Sequence, residues 1–288
     1  MVGFGTQFNL KLKQFSITAC IPCYNNAQTL SEVIDSVLSQ KHKIDEIIVV
    51  DDGSSDSSKI IAENKSDKVY ANDTNKGRGY TRKKAVESSS GDLILFCDAT
   101  NVLPVNFLNE AVRFFGEPSV AAVSGRINNH SSITGVIPRW RGRHLFKESE
   151  SYERESIPVS SLTTYGTLMR RCSIEEVGNF DASLEHSEDH ELGRRLIKAG
   201  YSLLGIPSLV TYSIRSDTLT SVLERYWRWN GGIDGKMGVL DYFRSIKASF
   251  KPTIQQDLKS RDFASALISF ACPHYGYLRA KHNGFFRK

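Results

Sequence analysis

Ile47-Ile48-Val49-Val50 is an unbroken run of β-branched residues that stops on Asp51-Asp52. An apolar run this short, with no polar alternation, suits a parallel strand covered on both faces. The same pattern recurs upstream and downstream. Ser16 to Ile21 is β-prone and halts at Pro22, and Leu93-Ile94-Leu95-Phe96 leads through Cys97 to Asp98. Lys68 to Ala71 and Val120 to Val123 read as further short strands. Between them lie segments of helical character. Thr29 to Gln40 places Leu30, Val33, Ile34, Val37 and Leu38 at helical spacing. Lys59 to Glu63, Gly79 to Ser89 and Pro104 to Phe115 follow, with Pro104 in a first-turn position. Strand alternating with helix through residue 125 predicts an α/β chain with an open, mostly parallel sheet flanked by helices and right-handed crossovers. Ligands of such sheets bind beyond the carboxyl ends of the strands. Those ends carry Tyr24-Asn25, Asp51-Asp52 and Asp98, so three polar clusters are expected to converge on one sheet edge.

Beyond residue 125 the rhythm breaks. Arg126 to Ser161 carries Arg139-Trp140-Arg141-Gly142-Arg143 and reads as loop and helix forming a floor or lid. Ser187 to Ala199 predicts a helix with Ser187 as N-cap and Gly200 as a left-handed C-terminal cap. Tyr201 to Ile206 reads as a strand, and Leu219 to Asn230 as an aromatic, arginine-bearing helix. The expected division is one domain over 14–232, with a first half to about 125 and a second half over 126–232, then a helical extension over 233–288.

Lys plus Arg number 37 and Asp plus Glu 32, a formal net charge of +5. That excess suits anionic small molecules or an anionic membrane surface and is too small to indicate nucleic acid. No apolar run of about 18 residues predicts a spanning helix, and Met1 to Leu12 lacks a secretory h-region. Five scattered cysteines suggest a reduced, cytoplasmic protein. Cys20-Ile21-Pro22-Cys23 also admits a thiol oxidoreductase reading, against the plainer one of small core residues at a strand end. Zinc would need a second ligand pair, which the sequence does not supply.

Ile21-Pro22-Cys23-Tyr24-Asn25, then Val49 through Asp56, Asn75 to Lys83, Gly91-Asp92 leading to Asp98-Ala99, and Ser187 to Leu192 with Arg195-Leu196 and Ala199-Gly200 occur in order. Together they resemble family 2 glycosyltransferases of the GT-A, Rossmann-like fold, from about Ser16 to Gly232. The resemblance implies attack of an acceptor hydroxyl on the anomeric carbon of a nucleoside-diphosphate sugar, UDP-linked by family habit, in cell-surface polysaccharide synthesis. It implies a donor site of Pro22, Tyr24, Asn25, Asp52, Arg82, Asp98 and Ala99, with Tyr24 stacked on the base, Asp52 accepting from a pyrimidine N–H and Asp98 gripping the ribose. Asp56 reads as a helix cap. Asp189 takes the base role of an inverting reaction; Glu188 positions the acceptor; His186 and His190 are bystanders. Arg225, Arg228 and Trp229 resemble the family's Gln-x-x-Arg-Trp with Arg225 replacing Gln, and would face the diphosphate or acceptor from one helix side.

Two departures concern the metal. The family's second acid after Asp98 is replaced by Thr100, and Leu209 to Ser213 holds no histidine. A divalent ion (Mn or Mg) at Asp98 therefore stays open, as does a silent nucleotide-sugar- or glycan-binding protein of the same fold. Without a metal the leaving diphosphate needs cationic side chains, for which Arg82, Arg225 and Arg228 are candidates. The tail from Leu267 to Lys288 mixes aromatic and basic residues, which suits either docking on its own domain or peripheral contact with an anionic membrane and a lipid-linked saccharide acceptor.

Overall fold

The computed structural model describes residues 15–148, 155–184, 186–230 and 237–285. The strands are β1 (Ile17–Cys23), β2 (Glu46–Asp51), β3 (Lys68–Ala71), β4 (Leu93–Cys97), β5 (Asn101–Val102), β6 (Val120–Asn129), β7 (Ile157–Pro158), β8 (Gly166–Arg170) and β9 (Ser202–Ser213). They form one sheet in the order β3-β2-β1-β4-β8-β6-β9-β5, with β7 on β9. The helices are α1 (Leu30–Leu38), α2 (Ser58–Lys65), α3 (Arg78–Ser88), α4 (Phe107–Val112), α5 (Val136–Arg141), α6 (Arg171–Glu176), α7 (Glu188–Lys198), α8 (Leu219–Asn230), α9 (Val239–Ala248), α10 (Gln255–Lys259) and α11 (Phe263–Phe285).

The expected parallel arrangement holds for β3, β2, β1 and β4, and again for β6 with β9. Between those groups β8 runs antiparallel to both β4 and β6. The unpolarised runs in β1, β2 and β4 have a direct cause. Ile17, Ala19, Ile21, Ile47 and Val49 pack on one face of the sheet, while Cys20, Ile48, Val50, Ile94 and Phe96 pack on the other. Each such fully buried Ile or Val contributes about 1.5–3 kcal/mol of transfer free energy.

Several boundaries differ from the sequence reading. β1 continues through Pro22 to Cys23. Its pairing with β4 ends at Cys20, so the missing N–H of Pro22 leaves no bond open on that side. Strand β6 extends to Asn129, and Ser202–Ile206 and Leu209–Ser213 belong to one long strand, β9, paired along β6, with Tyr201 just before it. The helix expected from Pro104 starts at Phe107 and gives way to a 3-10 turn at Arg113. Ser187 stands at the N-cap of α7 but adopts φ +62° and makes no side-chain capping bond. A left-handed backbone there aims its hydroxyl away from the helix amides. The far end of α7 behaves as expected: Gly200 is left-handed, its N–H donates to Ile197, and Tyr201 N–H donates to Leu196.

Of the segment expected as floor or lid, Arg139–Arg143 is helical and partly buried. Trp140 and Arg141 are fully buried, and α5 runs into a short π-helical turn ending at Phe146. The expected boundary at 232/233 lies outside the described residues. Past it, α11 packs on α8 and α5.

Gly79, on the first turn of α3, lets that helix touch the 181–184 loop. A Cβ there would sit 2.1 Å from the Asp181 carbonyl oxygen. Gly79→Ala is expected to cost about 1–3 kcal/mol of stability, read as a lowered urea midpoint with an unchanged slope.

Candidate active site

The carboxyl ends of β1, β2 and β4 open into a cleft of about 830 Å³. Pro22, Cys23, Tyr24, Asp52, Asp98 and Ala99 line it. Tyr24 is 47% exposed, an aromatic face held at the mouth. Asn25 is not part of that lining. It is left-handed (φ +52°), its N–H donates to Ser54 Oγ at 2.8 Å, and its Oδ1 accepts from Ser55 N–H at 2.9 Å. Asn25 thus staples the loop after β1 to the loop after β2. Asp56 works alongside it, accepting from the amides of Ala27 and Ser58 at the start of α2.

Asp52 is buried and already multiply bonded. Oδ1 accepts from Asn72 Nδ2 at 2.7 Å and Lys76 N–H at 2.9 Å, and Oδ2 accepts from Gly77 N–H at 2.9 Å. These bonds fix the turn that delivers α3 and its arginines to the cleft. Gly53, beside it, is left-handed, and a Cβ there would meet the Thr74 backbone at 2.7 Å.

Arg82 of α3 joins two parts of the site. Its Nη2 donates to Asp98 Oδ1 at 2.9 Å and its Nη1 to Glu188 Oε1. Arg82 and Glu188 side chains are 5% and 3% exposed, while Asp98 is 39% exposed. Burial works against the charge on Arg82, but Asp98, Glu188 and Asp189 outweigh it and raise its pKa. For Glu188 burial prevails over Arg82, and Asp189 adds to it, so its pKa is raised. Asp189 follows on the first turn of α7, half-buried, and its Oδ1 accepts from His190 N–H at 2.8 Å. His190 faces outward and bonds Ser161, but His186 lines the cleft.

The opposite wall is cationic. Among the described residues, the cleft is lined by six arginines (Arg78, Arg82, Arg215, Arg225, Arg228 and Arg279) against the carboxylates of Asp52, Asp98 and Glu224. Arg225 and Arg228 share a face of α8 as expected, with Trp227 between them in the lining; the side chain of Trp229 lies outside the described residues. Burial first, then Arg215, Arg141 and Arg228, lower the Arg225 pKa to about 10 against the pull of Asp217. Burial and then Arg78 lower that of Arg228, whose Nε has no hydrogen-bond partner among the described residues. Arginines pressed against each other in this way favour an anion that takes up their unused donors.

Asp217 organises that wall, and sequence reasoning missed it. Its side chain is wholly buried and pairs with Arg141 Nη1 at 2.6 Å, Arg215 Nε at 3.1 Å and Arg225 Nη2 at 3.2 Å. Its only local signal was an Asp-Thr step ahead of an amphipathic helix, which reads as a cap. Arg78, Arg215 and Arg279 were likewise missed, because each reads as an ordinary surface cation until the fold gathers them.

The described residues contain no group of three or more His, Cys, Asp or Glu side chains suited to a metal. Asp98 and Thr100 line the cleft together, and Ser213, at the end of β9, lines it too. This donor set fits a divalent ion only with diphosphate oxygens and water completing the shell. The CxxC reading fails on geometry. Cys20 and Cys23 lie on opposite faces of β1, both are buried, and burial raises both thiols, Cys23 to about 12.

Comparison with known proteins gives concordant results. The model of the family described as Glycosyl transferase family 2 matches residues 18–178. The poly-beta-1,6-N-acetyl-D-glucosamine synthase of Staphylococcus aureus is 25% identical over 244 residues, 82% of this chain and 58% of that protein. The chain thus spans a little over half the length of this relative. The mannosyltransferase PcManGT of Pyrobaculum calidifontis, solved with GDP-Man and Mn2+, superposes at a TM-score of 0.59 and 17% identity, over 93% of this chain and 74% of that one. TarS 1–349 of S. aureus with UDP-GlcNAc gives 0.58 and 16%, over 94% and 75%. At these identities the structural likeness is one of fold.

Proposed function

Because the chain belongs to glycosyl transferase family 2, we propose that it moves a sugar from a nucleoside-diphosphate sugar to a saccharide or lipid-linked saccharide acceptor, with inversion, in the building of a cell-surface glycan. The observation that carries this reading is the cleft itself. One lip offers an exposed tyrosine and the Asp98 carboxylate, the other a bank of arginines; Glu188, beside Asp189 and outside the lining, is tied to the first lip through Arg82. Tyr24 stacks on the base. Asp98 grips the ribose, and Asp52 supports the site through the turn before α3. Arg225 and Arg228, with Arg78 beside them, receive the diphosphate charge as it develops on the leaving group. Asp189 accepts the proton of the acceptor hydroxyl, and Glu188 orients the acceptor. UDP is the favoured carrier, since the S. aureus TarS structure holds UDP-GlcNAc, and a poly-beta-1,6-N-acetyl-D-glucosamine synthase among the relatives suits the same sugar. A divalent ion held by Asp98 would supply further charge neutralisation at the diphosphate. In this reading the first half, to about residue 125, holds the nucleotide part of the donor, the second half supplies the acceptor side and the α8 arginines, and the C-terminal extension adds Arg279 to the wall. The protein works in the cytoplasm or on the cytoplasmic membrane face.

Thermal-shift titration with UDP-GlcNAc, UDP-Glc and GDP-Man, each with and without manganese, tests the proposal. A rise in Tm with at least one of them is expected, because a ligand of the folded state stabilises it by mass action. No rise with any nucleotide sugar would overturn the reading. Binding without turnover would instead favour the silent binding protein that Thr100 suggests. Arg228→Ala, at fixed manganese, is expected to lower kcat/KM by about a hundredfold. An unchanged value would remove α8 from the leaving-group site.

A further inference from the structure

We propose that the C-terminal helices α9 to α11 dock on the surface of an anionic lipid bilayer. Helix α11 is apolar on its outward as well as its inward side. At 100° per residue, Phe263, Leu267, Phe270 and Leu278 fall on one stripe, and all four are exposed, Leu267 at 72%. The opposite face packs Ile268 and Cys272 against Trp140, Val222 and Leu223 and buries Ser265 and Ser269 beside them. Helix α9 buries none of its residues and exposes Val239, Leu240 and Phe243, and Phe250 follows in the next turn. Elsewhere among the described residues, large exposed apolar side chains occur singly on separate elements, as at Leu38, Ile60 and Val105. A concentration of apolar side chains on one short stretch of chain marks an interaction surface.

Charge identifies the occupant. The acids of this stretch turn inward: Asp257 is buried against Arg143 and His144, and Asp262 against Arg139 and Arg143. The basic residues Arg244, Lys247, Lys251, Lys259, Arg261 and Lys281 stay exposed, and the exposed acid, Asp241, is paired with Arg244. The outer surface is therefore apolar and cationic at once. A second copy of the chain would bring two cationic faces together, which opposes association. An anionic bilayer accepts both features, taking Phe and Leu into the acyl boundary and lysines at the head groups. No helix of the described residues is long and apolar enough to cross a membrane, so the helices lie on it.

The same α11 carries Arg279 into the cleft, bonded to Glu224 of α8. Docking would hold the α8–α11 wall of the cleft close to the bilayer, where a lipid-linked acceptor presents its sugar. That consequence rests on the glycosyltransferase reading; the docking does not.

The test is co-sedimentation of the full chain with vesicles of phosphatidylcholine alone or with added phosphatidylglycerol. Binding to the phosphatidylglycerol vesicles is expected, weaker with phosphatidylcholine alone and reversed by high salt. The double variant Phe263→Glu/Leu267→Glu should bind at least tenfold more weakly, and Ile60→Glu, an exposed apolar position on α2, should bind as the parent does. Failure of the parent to sediment, equal loss in Ile60→Glu, or a concentration-dependent dimer abolished by the double variant would each overturn the proposal. The thermal shift with nucleotide sugar, measured without lipid, should be the same in the double variant and the parent. Loss of docking and failure of the donor site are thereby read separately.

Discussion

Asp189→Asn is expected to lower turnover by two to four orders of magnitude, about the contribution of a positioned general base, while the nucleotide-sugar thermal shift persists. The substitution keeps shape and hydrogen-bonding reach, so the amide of His190 retains an oxygen partner at 2.8 Å. What it removes is a group able to accept the acceptor's proton. Glu188 is the informative contrast. It is buried against Arg82, and Glu188→Gln leaves a buried guanidinium with a neutral partner, so that variant should lose stability as well as activity. Full turnover in Asp189→Asn, measured by release of nucleoside diphosphate with acceptor present, would reassign the base.

Asp217→Ala carries the largest expected stability loss, about 3–5 kcal/mol. Removing this carboxylate strands Arg141, which is fully buried, and leaves Arg215 and Arg225 facing each other without their shared counter-charge. Burial alone would raise the Asp217 pKa, yet Arg225, Arg141 and Arg215 overcome it and hold the carboxyl below its usual range. The sign of the pH dependence follows. A carboxyl depressed in the folded state stabilises fully above its unfolded value of about 3.9 and loses that contribution as pH falls through the lower folded value. The gap in stability between parent and Asp217→Ala should accordingly be wide at neutral pH and narrow in strong acid. Urea melts across that range measure it, and a gap independent of pH would refute the assigned charge.

Local pattern made the first half of the fold legible. Strands buried on both faces announce themselves as unpolarised runs, and the residues that follow them must sit at the sheet's carboxyl edge, so the meeting of Tyr24, Asp52 and Asp98 followed from chain order alone. The second half was less legible because its strands carry no such signature. Gly166–Arg170 is five residues long and antiparallel to both neighbours, and nothing local distinguishes it from a loop. The Arg139–Arg143 segment gave no local sign of its partners: its arginines pair with Asp217, Asp257 and Asp262, each far along the chain. Asn25 shows a related difficulty, since a motif position beside a ligand site can brace the loop that presents the neighbouring tyrosine.

Arg82 reaches Asp98, 16 residues away, and Glu188, 106 residues away, with the two arms of one guanidinium. Whatever engages the partly open Asp98 competes for an oxygen that Arg82 already uses. The carboxyl end of β4 and the start of α7 are thus joined through one buried side chain, and a ligand that displaces Arg82 from Asp98 disturbs the anchor of Glu188 as well.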